Sequence, residues 1–142
     1  MTTKRSSVLF VCVKNGGKSQ MAAALMRLHA GDAIDVRSAG TRPGTAINAQ
    51  SAEAIAEVGA DMSSAVPRPV TLRALRGVDH VIVIGGEAVI EPVEGMAASV
   101  TTWHTDEPSL RGIDGMERMR LVRDDIDTHV RALLSDLTPT AN

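Results

Sequence analysis

Residues 7–12, Ser-Val-Leu-Phe-Val-Cys, form a short unbroken apolar run, followed at once by the turn formers of Val13-Lys14-Asn15-Gly16-Gly17. Lys18–Ala30 then places Met21, Leu25 and Leu28 at helical spacing. An apolar run without alternation is what a strand buried on both faces needs, and such strands belong to the interior of parallel sheets covered by helices. Parallel strands cannot be joined by hairpins, so the rest of the chain has to supply crossovers.

It does. Residues 33–39, closed by Gly40, predict a second strand, and residues 49–58 predict an alanine-rich helix stopped by Gly59. Residues 78–84 predict a third strand ending at Gly85-Gly86, and Ser99–Trp103 predicts a weaker fourth that runs into a polar loop. From Gly115 onwards Met116, Met119, Val122, Ile126, Val130, Leu133 and Leu137 recur at three- and four-residue intervals, which predicts a long amphipathic helix. The expected architecture is a three-layer α/β domain with a four-stranded parallel sheet flanked by helices. In such sheets ligands bind beyond the carboxyl ends of the strands, where strand order reverses. Cys12, Gly85 and Trp103-His104 fall at those ends, so three distant stretches should converge on one crevice.

Length and composition bound the partners. With 142 residues and 44% hydrophobic content, the chain is read as a single domain over residues 1–142. Its 15 Lys and Arg against 17 Asp and Glu give no basic field of the kind that nucleic acid or an anionic membrane surface requires. No apolar stretch approaches a membrane span and no long apolar segment opens the chain, so a cytoplasmic protein is expected. Cys12 is the single cysteine, and His29, His80, His104 and His129 are scattered, so neither an internal disulfide nor a metal site is expected. One Phe, one Trp and no Tyr leave little for an aromatic recognition platform.

The loop after the first strand carries the chemistry. Backbone N–H groups at a helix start are unpaired and the helix dipole adds partial positive charge there, so a glycine-rich loop entering a helix binds anions. Val13, Lys14, Asn15, Gly16 and Gly17 are the candidate binding residues. The glycines let the backbone curl around a tetrahedral oxyanion, Asn15 tolerates a left-handed conformation, and Lys14 and Lys18 add charge. The same field favours thiolate over thiol at Cys12, which sets a nucleophile against an oxyanion. Gly17-Lys18-Ser19 also looks like the end of a Walker A loop. Cys12 occupies that motif's first glycine position, however, and no strand ends in an aspartate suited to magnesium.

A strand followed by Cys12-x-x-Asn15-x-x-Lys18-Ser19, with Ser38-Ala39-Gly40-Thr41, the apolar residues 81–84 and the acidic loop Asp106-Glu107-Pro108 in that order, resembles the low-molecular-weight protein tyrosine phosphatases and the arsenate reductases built on the same fold. The likeness spans nearly the whole chain, and its departures are informative. Phosphatases of this type have an arginine where Lys18 stands and an Asp-Pro-Tyr loop. A guanidinium fork holds two equatorial oxygens of a transition state, whereas an ammonium is a point charge. With no tyrosine and with Glu107 before Pro108, phosphotyrosine hydrolysis is disfavoured, while Asp106 or Glu107 remains a candidate proton donor.

Thioredoxin-linked reductases of this fold resolve their adduct with further cysteines near the end of the third strand, where this chain has Gly85. With one cysteine the electrons must come from an outside thiol. Residues 12–20 and 103–109 resemble the mycothiol-dependent arsenate reductases of actinobacteria. That resemblance implies arsenate as substrate, mycothiol as co-substrate, a mycoredoxin as the partner that completes reduction, and no metal. It implies Cys12, Lys18, Ser19 and Glu107 or Asp106 as the catalytic set, with Ser19 holding the Cys12 sulfur as thiolate. Whether Cys12 forms a covalent adduct or positions arsenate for direct attack by the thiol is open at this level. Two other classes use the same loop: a phosphatase of small molecules or proteins acting through Cys12, and a non-catalytic oxyanion-binding module.

Overall fold

The computed structural model describes residues 5–138, so both ends of the domain read as 1–142 lie outside the described residues. Strand β1 (Ser6–Cys12) pairs in parallel with β2 (Ile34–Gly40) on one side, from Ser6 opposite Ile34 to Cys12 opposite Gly40. On its other side β1 pairs in parallel with β3 (His80–Ile84), from Val8 opposite His80 to Val11 opposite Val83. Strand β4 (Ser99–Trp103) continues the sheet beside β3, giving the order β2-β1-β3-β4. The chain therefore steps outward from β1 to β2 and returns to the far side of β1, so the order reverses at β1. Cys12 is the last residue of the strand at that reversal.

Alternation along β1 divides the core. Val8 and Phe10, with Ile82, Ile84 and Trp103, face a layer built from α1 (Lys18–Ala30), α2 (Ala49–Glu57) and α4 (Gly115–Leu137). Met21, Leu25, Ile55, Met119, Ile126 and Val130 fill that layer. Leu9 and Val11, with Val81 and Val83, face the other way, onto Leu75, Val78 and Ala88. Both faces of β1 are thus covered, which is why its sequence shows no polar alternation. The second face is covered thinly, by the six-residue helix α3 (Leu72–Gly77) and the connection after β3.

Three expected boundaries shift and one helix is added: the helix expected over residues 49–58 ends at Glu57, with Val58 as its cap. The second strand starts at Ile34 rather than residue 33, since Gly31–Ala33 closes α1 as a 3₁₀ turn. The third starts at His80, because Val78 follows α3. Helix α3 itself was not predicted: it is too short to show periodicity, and its only start signal is Thr71, whose hydroxyl accepts from the Ala74 N–H at 3.0 Å. Helix α4 spans 23 residues and buries the periodic positions Met119, Val122, Ile126 and Val130. None of the described helices is long and apolar enough to cross a membrane.

Candidate functional site

The loop between β1 and α1 is fastened from outside through its carbonyls. Those of Val13, Lys14 and Gly16 accept from the N–H groups of Arg42, Gly44 and Asn48. The backbone is thereby turned so that its N–H groups face inward: among the described residues, those of Lys14, Gly16 and Gly17 donate to no protein acceptor, and Asn15 N–H donates to Cys12 Sγ at 3.3 Å. Helix α1 begins with no side-chain cap and no acidic residue in its first turn. Its first N–H groups add to the concave row of donors. Close packing makes this shape possible. A Cβ at Gly40 would lie 2.6 Å from the Val13 oxygen, and one at Gly16 would lie 2.9 Å from the Ala46 oxygen.

Beneath the loop lies a chain of hydrogen bonds that ends at sulfur. Cys12 Sγ is 2.9 Å from Ser19 Oγ, and Ser19 Oγ accepts from Asn15 Nδ2 at 2.7 Å. Asn15 is wholly buried at φ 55°, the left-handed region that asparagine tolerates. Its amide orientation is fixed because Oδ1 accepts from Arg68 N–H at 2.9 Å and from Gln20 Nε2 at 3.0 Å. The Ser19 hydroxyl, already accepting from Asn15, is thereby fixed within hydrogen-bond distance of the sulfur. No histidine takes part: His104 is exposed, and His129 packs against Trp103 with ring centroids 5.1 Å apart.

The segment after β4 faces the loop across the crevice. Lys18 Nζ donates to Thr105 Oγ1 at 2.9 Å and to Glu107 Oε1 at 3.0 Å, joining the start of α1 to the segment after β4. The two acids of that segment differ. Asp106 receives both guanidinium nitrogens of Arg111, at 2.7 and 3.1 Å, and that pairing holds its carboxyl below the ordinary range. Glu107 lines a pocket of about 580 Å³ together with Lys14, Gly16, Gly17 and Lys18, and Asp106 does not. The Asn15 side chain points into the buried hydrogen-bond chain and its backbone N–H goes to Cys12 Sγ, so its part is to shape the loop. Gly85, with φ 90°, donates its N–H to Trp103 O at 2.9 Å.

Sequence reading missed Gln20, Thr105 and the Arg68 N–H. Gln20 sits on the buried face of α1, where a polar residue inside an apolar stripe was a signal; the other two are joined to the site only by the fold. No group of three or more His, Cys, Asp or Glu among the described residues is arranged to hold a metal ion.

A parallel sheet with this loop at its switch point and a cysteine at the loop's origin defines a phosphatase-like class, and the family model for low molecular weight phosphotyrosine protein phosphatases matches residues 7–141. The chain belongs to that family. Within it the similar proteins include a "Putative arsenate reductase" of Halobacterium salinarum, 31% identical over 137 residues and covering 92% of each chain. A thioredoxin-dependent arsenate reductase of Corynebacterium glutamicum has a solved structure that superposes with a TM-score of 0.78 at 32% identity; the match covers 96% of this chain and 64% of that one. An arsenate reductase solved in the phosphate binding state gives a TM-score of 0.80 at 25% identity, covering 94% of this chain and 99% of that one.

Proposed function

We propose that this protein is an arsenate reductase of the arsenate-mycothiol transferase type, acting in the cytoplasm on arsenate with mycothiol as co-substrate and a mycoredoxin as the partner that finishes the reduction. The observation that carries the reading is the Cys12 sulfur held by Ser19 and the Asn15 N–H beneath a row of unengaged amides. The arsenate reductases among its relatives support the substrate.

Arsenate is a tetrahedral oxyanion that suits inward N–H groups, with Lys18 supplying charge at the rim. An S–As bond forms as one As–O bond breaks, and the departing oxygen leaves as water with the proton given up by the thiol. Glu107, a carboxylate joined to Lys18 at 3.0 Å beside the loop, is the residue suited to take that proton from the thiol and pass it to the departing oxygen. In one route Cys12 takes arsenic first and mycothiol displaces it; in the other Cys12 orients arsenate for direct attack by mycothiol. Both yield arseno-mycothiol, with arsenic still pentavalent. A mycoredoxin thiolate then attacks the mycothiol sulfur, the S–As electron pair stays on arsenic, and arsenite is released with a mixed disulfide. The single cysteine of the chain and the glycine at position 85 support an external thiol over an internal cysteine relay.

Purified protein should form arsenite from arsenate with mycothiol and mycoredoxin, and Cys12→Ser should abolish it. Turnover with glutathione and glutaredoxin but none with mycothiol overturns the transferase assignment. Family membership favours phosphatase activity as the second reading. Robust hydrolysis of an aryl phosphate, lost in Cys12→Ser and unaccompanied by arsenite formation, would replace the first reading with that one.

A further inference from the structure

One stretch of chain gives its backbone to the loop instead of to the sheet. Residues 66–70, Val-Pro-Arg-Pro-Val, run in parallel beside the outer edge of β2. Gly40 N–H donates to Arg68 O at 2.7 Å and Val70 N–H donates to Gly40 O at 3.1 Å, the slanted pair of a parallel ladder. Pro67 and Pro69 alternate with the residues whose amides turn toward β2, which is where an edge strand tolerates proline. Val36 O faces the same edge, accepting from Arg27 Nη2 at 3.0 Å, and by alternation so do the N–H and O of Ser38, midway between Val36 and Gly40.

The next two bonds of that ladder would be Ser38 N–H to Val66 O and Arg68 N–H to Ser38 O. Neither forms. Arg68 N–H donates instead to Asn15 Oδ1 at 2.9 Å, and Val66 O accepts instead from Gln20 Nε2 at 3.2 Å. Among the described residues, Ser38 N–H and O have no hydrogen-bond partner, and Ser38 borders an open cavity of about 890 Å³. Gln20 is the diverting side chain. It is 4% exposed on the buried face of α1, and its Nε2 also lies 3.2 Å from Asn15 O and 3.0 Å from Asn15 Oδ1. Backbone oxygens only accept, so this end of the side chain is the amide nitrogen. Burying an amide inside an apolar stripe costs stability unless it is bonded, and each bond Gln20 makes goes to the loop or to the segment that braces it.

We infer that Gln20 is a positioning residue for the reacting sulfur, and that residues 66–70 are the strap through which it acts. Gln20 Nε2 and Arg68 N–H together hold Asn15 Oδ1, Asn15 Nδ2 holds Ser19 Oγ, and Ser19 Oγ lies 2.9 Å from Cys12 Sγ. Gln20 itself touches no reacting atom. Without its amide, Val66 O is released to Ser38 N–H and Arg68 N–H to Ser38 O, so the strap has a second set of partners ready and the loop loses both braces together. The inference rests on Cys12 as the reacting sulfur of the proposed reductase and is independent of which thiol it uses.

The test compares the full chain with its Gln20→Met variant, which keeps the length and packing of the side chain and removes its donor. At neutral pH iodoacetamide should alkylate Cys12 of the variant about threefold or more slowly than in the parent. In turnover with mycothiol and mycoredoxin, kcat for arsenite formation should fall about tenfold while KM for mycothiol stays within about threefold of the parent. Amide hydrogen exchange followed by NMR should find Ser38 N–H fast and Arg68 N–H protected in the parent, and Ser38 N–H newly protected in the variant. A role confined to stability would lower the unfolding midpoint and leave alkylation and kcat of the folded variant unchanged, which overturns the inference. Protection of Ser38 N–H in the parent overturns it as well, and that measurement needs no variant to fold. If the parent makes no arsenite with any thiol, the reductase reading falls, and alkylation and exchange decide the inference without it.

Discussion

The Cys12 sulfur has two partners, and only one of them depends on a side chain that mutation can remove cleanly. Ser19→Ala deletes the hydroxyl 2.9 Å away, and hydrogen bonds to charged groups carry enough energy that kcat/KM for arsenate should fall about 10- to 100-fold. Asn15→Gly retains the φ of 55° while deleting the amide that orients Ser19, so it should produce a similar loss. Because the two residues act in one chain of hydrogen bonds, the double variant should lose little more than either single; additive losses would show that Asn15 acts otherwise. The acids separate in the same way. Asp106 is held ionised by Arg111 and lies away from the pocket, so Asp106→Asn should change the rate less than about threefold, whereas Glu107→Gln should cost about tenfold or more. Steady-state arsenite formation checks both, and the reverse order would transfer the proton-donor role to Asp106.

Between elements, two contacts decide whether the site is held. The end of β2 passes under the loop so closely that a methyl group at Gly40 would meet the Val13 oxygen at 2.6 Å and the Asn15 Cβ at 3.0 Å. The first of these neighbours is backbone and cannot rotate away. Gly40→Ala should therefore lower stability by about 1–3 kcal/mol and abolish protection of Cys12 by phosphate, read by denaturant unfolding and alkylation. The second contact joins α2 to α4, where Glu57 takes hydrogen bonds from Arg120 and Arg123. The Arg120 bond is the largest influence on its carboxyl, and with Arg123 it outweighs burial to bring the pKa from 4.5 to about 2. A carboxyl lowered on folding favours the folded state above its unfolded value, and that contribution fades as pH falls through 4.5 toward 2. The stability gap between the parent and Glu57→Gln should accordingly shrink over that window and stay constant from pH 5 to 7; a gap independent of pH would remove the ion pair from the account.

Across the whole molecule, the parts legible in the sequence are those written locally. The unalternating run of β1, the glycines and lysines after it and the periodic apolar residues of α4 each express their structure within one segment, and the parallel sheet with Cys12 at its reversal follows from their order. The less legible parts are joined by distance. Arg68 N–H reaches Asn15 across 53 residues and Lys18 reaches Glu107 across 89, partnerships no spacing rule encodes. Helix α3 is missed because a single turn and a half cannot show a period. What unites the local and the distant parts is an oxyanion held by amides against one sulfur, and the alkylation of that sulfur tests it most directly. With iodoacetamide at neutral pH and mass spectrometry at the single cysteine, Cys12 should react faster than an unfolded-chain thiol, and arsenate and phosphate should slow the reaction saturably. Reaction at the rate of an ordinary thiol, indifferent to both oxyanions, would contradict the account.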